Sequence, residues 1–260
     1  MPSILLFVLL LAPAPPAATG DWVARQVQDR DTGRDSRATI HLTLYDRHGR
    51  ARERSLTMIA KKGGGEAGDK VLTRFVYPDD IKGTSFLVWE HPRAEDERFL
   101  YLPALGRVRR IAGAEAQESF VGTDFTYEDI GGREFDDYTY TLLEENASWR
   151  APDGKVFPAY RLESRRKDER AKYPRVVSLV TKDSFVVVSA DIFNRRNERA
   201  KVYAAGRLER VSGIWTVLDS EMSNLLDRTR TALRIEKIQY NVGLADAEFS
   251  RRELERGGAR

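Results

Sequence analysis

The sequence predicts a mainly β protein, a single domain on one curved antiparallel sheet or incomplete β-barrel with a few lid helices. Three observations carry this prediction. Short apolar runs recur about every 10–15 residues, with no long stretch of helical periodicity between them. Turn chemistry separates the runs, at Pro78-Asp79-Asp80, Lys82-Gly83, His91-Pro92 and Leu105-Gly106. Some runs alternate, as in Ile40, Leu42 and Leu44 against His41, Thr43 and Tyr45; others, such as 176–180 and 185–188, are apolar on both registers. A curling sheet with one wet face gives the first pattern, and central strands covered on both sides give the second.

The elements follow in order. Asp21 is placed to cap a short amphipathic helix in which Trp22, Val23 and Val27 form the apolar stripe. Strands are expected over 40–45 and 54–61, joined by Asp46-Arg47-His48-Gly49, then over 71–77, 84–90, 97–102 and 107–111. The Gly63-Gly64-Gly65 tract has no Gly-Lys-Ser/Thr ending, so it reads as a hairpin loop rather than a phosphate cradle. Residues 112–127 suit a loop with a short helix. Strands resume over 136–145, 156–166, 175–181, 185–193, 199–208, 214–220 and 229–242, and 246–255 reads as a terminal helix. No internal repeat or shift in composition marks a second domain.

An uncharged apolar run from Ile4 to Ala12, then a Pro/Ala/Gly stretch to Gly20, reads as a signal peptide over 1–20. The run is too short to span a bilayer, which takes about 20 residues. Its first residues carry no Lys or Arg, which is unusual for such a segment. The mature domain is then 21–260, long enough for one substantial core. The chain has no cysteine, which rules out disulfides, thiolate chemistry and lipidation at a Cys. The expected location is therefore the periplasm, as an exported protein that is soluble once the signal is cleaved. A formal charge of +3 with no concentrated basic stripe argues against a nucleic-acid partner. The arginines of 107–110 and 251–256 read as solvated faces, or as contacts for anionic headgroups or a protein.

Catalytic signals are sparse. The three histidines, His41, His48 and His91, show no ligand spacing, so no metal or other cofactor is expected. Most paired carboxylates sit at turns, where they cap backbone amides; glycoside cleavage through such a pair is the weakest of the functional readings. Glu90 and Asp124 differ because they stand beside large apolar residues, Trp89 and Phe125, where a buried carboxylate needs a partner. Arg107, Arg109 and Arg110 are the nearest candidates, making a polar latch between a lid and the sheet. Apolar and aromatic residues crowd the same third of the chain. Phe75, Phe86, Trp89, Phe99, Tyr101, Phe120, Phe125 and Tyr127 are the candidates to line a cavity for acyl chains, although at least half of the crowd should be ordinary core. Burial at about 0.8 kcal/mol per methylene would give a long acyl chain on the order of 10 kcal/mol.

Three blocks in one order, RFVYPDDIKGTSFLVWEHP (74–92), LYLPALGRVRRI (100–111) and SFVGTDFTYED (119–129), resemble the bacterial outer-membrane lipoprotein-sorting proteins of the LolA-like class. The likeness continues more thinly through 173–183, 213–215 and 235–249. It is nearest to a divergent branch without assigned cargo. The resemblance implies a curved sheet with lid helices, a periplasmic location and no enzymatic activity. It further implies a lipid or acylated lipoprotein as cargo passed towards the outer membrane, transient contact with the membrane surface, and an inner-membrane exporter of the resistance-nodulation-division type as partner. The alternative is a periplasmic adaptor that binds a protein partner in its groove.

Overall fold

The computed structural model describes residues 18–64, 67–92, 94–133 and 135–256; the signal-peptide expectation falls mostly outside them. Helix α1 (Gly20–Asp29) is capped by Thr19, whose hydroxyl accepts from the Trp22 amide, and not by Asp21, which lies in the first turn. Gly20 packs so closely that a Cβ there would meet the Tyr140 carbonyl oxygen at 2.5 Å. Ala18 joins the apolar cluster under the helix, so the residues just before Asp21 are built into the fold.

The first strands, β1 (Asp35–Tyr45), β2 (Ala51–Lys61), β3 (Lys70–Tyr77), β4 (Ser85–Trp89), β5 (Glu97–Leu102) and β6 (Arg107–Arg110), form a meander. Short 3-10 turns at Gly113–Gln117 and Phe120–Gly122 lead to helix α2 (Tyr127–Gly131). A second meander follows through β7 (Tyr138–Arg150), β8 (Val156–Arg166), β9 (Arg175–Thr181), β10 (Val187–Phe193) and β11 (Arg199–Ala205). The expected run over 199–208 ends at Ala205. A separate hairpin, β12 (Leu208–Val211) with β13 (Ile214–Val217), precedes β14 (Asp219–Asn224) and β15 (Thr229–Tyr240). The expected helix over 246–255 breaks at Ser250, which caps α3 (Arg251–Glu255) behind a 3-10 turn.

Thirteen strands form one antiparallel sheet in the order β6-β5-β4-β3-β2-β1-β15-β14-β11-β10-β9-β8-β7. β15 returns to pair with β1 and so joins the two meanders. The sheet does not close: β6 and β7 are its edges, so the word barrel applies only in its incomplete sense. Its curvature follows from two contacts. Laid flat, β4 and β8 would lie about 43 Å apart at ordinary strand spacing. Yet the Tyr127 ring packs tilted against Phe86 of β4, 5.1 Å between centroids, while its neighbour Glu128 meets Arg166 of β8 at 2.6 Å. The sheet therefore curls around α2.

Strand parity splits the core. On the concave face Ile40, Leu42, Leu56, Phe75, Phe86, Val88 and Leu100 form one cluster. On the convex face Leu72, Leu87 and Phe99 are covered by Leu244, Phe249 and Leu254 of the C-terminal segment. This two-sided cover explains why β4 reads as apolar on both registers. The Trp89 indole N–H donates to the Phe249 carbonyl at 2.7 Å and fixes that cover.

Candidate functional site: the plugged concave face

The concave face is filled by the chain between β6 and β7. Ile111, Phe120 and Tyr127 are buried in it. The Phe120 ring lies 5.6 Å from Phe75, 5.7 Å from Phe86 and 5.6 Å from Tyr127. Phe125 reaches the other half of the sheet, against Val176, Ala190, Ile192 and Met222. The segment thus behaves as a plug, with aromatic residues doing the filling.

A separate set of polar ties fixes the plug at one end. The Asp124 carboxylate accepts from the hydroxyls of Thr229 and Thr231 on β15. The Lys201 ammonium of β11 donates to the Asp124 carbonyl and lies 5.0 Å from the Tyr173 ring. Burial lowers the Lys201 pKa, against the pull of Asp129 and Asp124. Arg54 of β2 donates to the Val121 carbonyl. Val121 has φ 47°, a left-handed conformation that β-branched residues rarely adopt and that costs about 1–3 kcal/mol.

The helical end has its own ties. Thr126 and Asp129 form a capping box at the start of α2. Burial works against the Asp129 charge, but Arg133 at 2.6 Å and the Thr126 amide hold its pKa below the usual range. Arg166 bridges Glu128 at 2.6 Å and Asp137 at 2.9 Å. Among these groups lies a void of about 10 Å³, lined by polar side chains including Thr126, Glu128, Arg133 and Lys201. That is room for about one water.

Of the aromatic candidates, Phe75, Phe86, Phe120, Phe125 and Tyr127 are brought together on the concave side. Trp89, Phe99 and Tyr101 point to the convex side, under the C-terminal cover. The latch candidates also separate. Arg107, Arg109 and Arg110 are exposed on the edge strand β6, where Arg109 faces Glu115 and Arg110 faces Glu95. The partners of Asp124 are Thr229, Thr231 and Lys201, which lie more than 75 residues further along the chain and carry no motif. Glu90 sits at the far end of β4, against Gly132 just beyond α2. Burial, with Asp69 and Asp96 nearby, pushes its pKa up to about 7 despite Arg98.

A second concavity, open and polar, has a volume of about 780 Å³ and is lined by Asp31, Arg34, Asp35, Lys61 and Lys62 among others. Among the described residues no group of three His, Asp or Glu is placed to hold a metal ion. No helix among them is long and apolar enough to cross a membrane.

Known proteins share this architecture. A family model described as an uncharacterized protein matches residues 67–256. A DUF1329 family protein from Desulfovibrio piger is 29% identical, with 90% of this chain and 97% of that one aligned at a TM-score of 0.80. A domain from Vibrio parahaemolyticus named for outer membrane lipoprotein sorting is 26% identical, covering 91% and 98% at 0.81. A LolA superfamily protein from Nitrosomonas europaea, at 15% identity, covers 91% and 100% at 0.66 and shows the fold. No curated protein matches the chain. The chain belongs to the family that this model describes, and its fold is that of the DUF1329 family protein and of the LolA superfamily protein it resembles.

Proposed function

We propose that the protein is a periplasmic, non-enzymatic carrier whose concave face takes the acyl chains of a lipid or lipoprotein once the plug of residues 112–133 swings out. The observation that carries this reading is the division of labour within the plug. Aromatic rings occupy an apolar trough, while a few hydrogen bonds and ion pairs, separate from that packing, hold them there. An acyl chain can replace the rings at little net cost, because both fillings bury apolar surface. The polar ties then set the closed-to-open balance. The relative from Vibrio parahaemolyticus supports the cargo class through its name. Delivery towards the outer membrane, with a resistance-nodulation-division exporter as donor, is the finer form of the proposal.

The test is uptake of a fluorescent fatty acid by the purified full chain, with a doubly acylated lipopeptide as competitor. Saturable binding that the lipopeptide displaces supports the carrier. A second reading, a periplasmic adaptor for a protein partner, is favoured by the unpaired edges β6 and β7, which offer strand addition. No uptake, with a folded protein, would move the account to that reading.

A further inference from the structure

The two ends of the sheet are not alike. The pairing places six connections on one end: 46–50, 78–84, 103–106, 167–174, 194–198 and 225–228. Because the sheet curls, these connections make a rim around one mouth of the concave trough. Most of the exposed large apolar side chains gather on it. Val76 and Tyr77 stand at the end of β3, Leu105 at the tip of the β5–β6 turn, and Leu225 and Leu226 in the β14–β15 turn. Leu105 and Leu226 are 64% and 56% exposed, and neither turn requires an apolar residue for its own geometry.

Cations stand between these apolar tips. Arg47, Lys82, Arg107, Arg195, Arg196 and Arg228 are all exposed and make no ion pair among the described residues. Several other rim cations are neutralised, as Arg50 is by Asp46 and Arg170 by Asp168. The exposed acids of these turns that make no ion pair among the described residues, Asp79, Asp80, Glu169, Glu198 and Asp227, are fewer than the cations, although Glu198 shares its turn with Arg195 and Arg196 and Asp227 adjoins Arg228.

We infer that this rim docks on the surface of an anionic phospholipid bilayer, with the leucine tips entering the interface and the arginines meeting headgroup phosphates. The chemistry is that of peripheral binding, in which modest apolar insertion and several cations each contribute a part. A protein groove would need a contiguous apolar face, whereas these tips are separated around an open rim and alternate with cations. The rim also holds the plug's polar ties. Thr229 and Thr231 lie at the β15 end of the Leu225-Leu226 turn, and Lys201 follows the Arg195-Arg196 turn. Docking therefore brings the mouth that the plug closes against the lipid. The inference extends the carrier reading by giving it a surface for exchange.

The experiment is co-sedimentation of the full chain with vesicles of phosphatidylcholine alone and of phosphatidylcholine with phosphatidylglycerol. Binding is expected to the anionic vesicles and to weaken with salt. Arg195→Gln with Arg196→Gln should weaken it by roughly 30-fold, taking about fivefold per arginine near the surface. Leu225→Ser with Leu226→Ser should weaken it at least about tenfold. Both variants change exposed turn residues, so circular dichroism and fatty-acid uptake in solution should stay as in the parent. No binding to anionic vesicles, or binding that both variants leave unchanged, overturns the inference. If uptake persists while docking is absent, the carrier reading stands without it.

Discussion

Asp124→Ala is the substitution that most directly separates the plug from the sheet. The side chain is 9% exposed and accepts from two threonine hydroxyls, one of them, Thr231, itself fully buried. Removing the carboxylate deletes two charge-assisted hydrogen bonds and leaves the buried Thr231 hydroxyl without its acceptor. Such a loss costs about 3 kcal/mol, more than a neutral pair would. If the plug opens as its own unit, the cost falls on plug docking and raises the open population by about 100-fold. The assay is native-state hydrogen exchange followed by mass spectrometry. Peptides covering 118–131 should lose about 100-fold in protection, while those of β1 and β2 keep theirs. Uptake of a fluorescent fatty acid should tighten, because less work is spent on opening. Uniform loss of protection across the sheet would refute the reasoning, since plug and sheet would then open together. Unchanged exchange in 118–131 would refute it as well.

Three further outcomes follow from the same geometry. Phe120→Ala and Phe99→Ala each empty a fully buried site and should each cost about 3–5 kcal/mol. Phe120 fills the trough and Phe99 the convex core, so fatty-acid affinity should change in the first variant and not in the second; equal changes would count against the two-face division. Glu90 has its folded pKa raised to about 7, so the folded state favours the protonated form. That contribution is present below the ordinary carboxylate range and is lost as pH rises towards 7, by up to about 3 kcal/mol before solvent screening. Glu90→Gln should therefore stabilise the protein at pH 8 and change little at pH 4, as read by urea unfolding; equal effects at both would count against it. A mature chain that begins at Asp21 would lack the Thr19 cap, worth about 1 kcal/mol. If a signal peptide is cleaved, the mature N-terminus, measured by mass spectrometry, is expected upstream of Thr19.

The strands were legible because each is a short apolar or alternating run bounded by turn residues, and the bounds of β5, β8 and β9 follow directly from the sequence. The helix cap was less so, since Thr19 and Asp21 are both good capping residues and only the docking of Gly20 against β7 selects the former. The crowd of aromatic residues between 75 and 127 was visible, but not its division into two faces. Parity separates Phe86 from Trp89, yet which parity faces inwards depends on the curl and on the distant residues 244–254 that cover the other side. The latch shows the same limit. Asp124 stood out as a carboxylate among apolar neighbours, and its sequence-near arginines were the natural partners. Its actual partners arrive through β15 and β11, a pairing that local sequence does not encode. Glu90, the other carboxylate marked in this way, lies against Gly132 at the end of the plug, where the cation acting on it is Arg98.

The central claim is that this family member carries acyl chains. Native mass spectrometry of the protein taken gently from a bacterial periplasm tests it most directly. The account predicts adducts of lipid mass that organic solvent releases as acyl species, more abundant in Asp124→Ala than in the parent. A bare protein mass in both, with no uptake of offered phospholipid or acylated peptide, would contradict it.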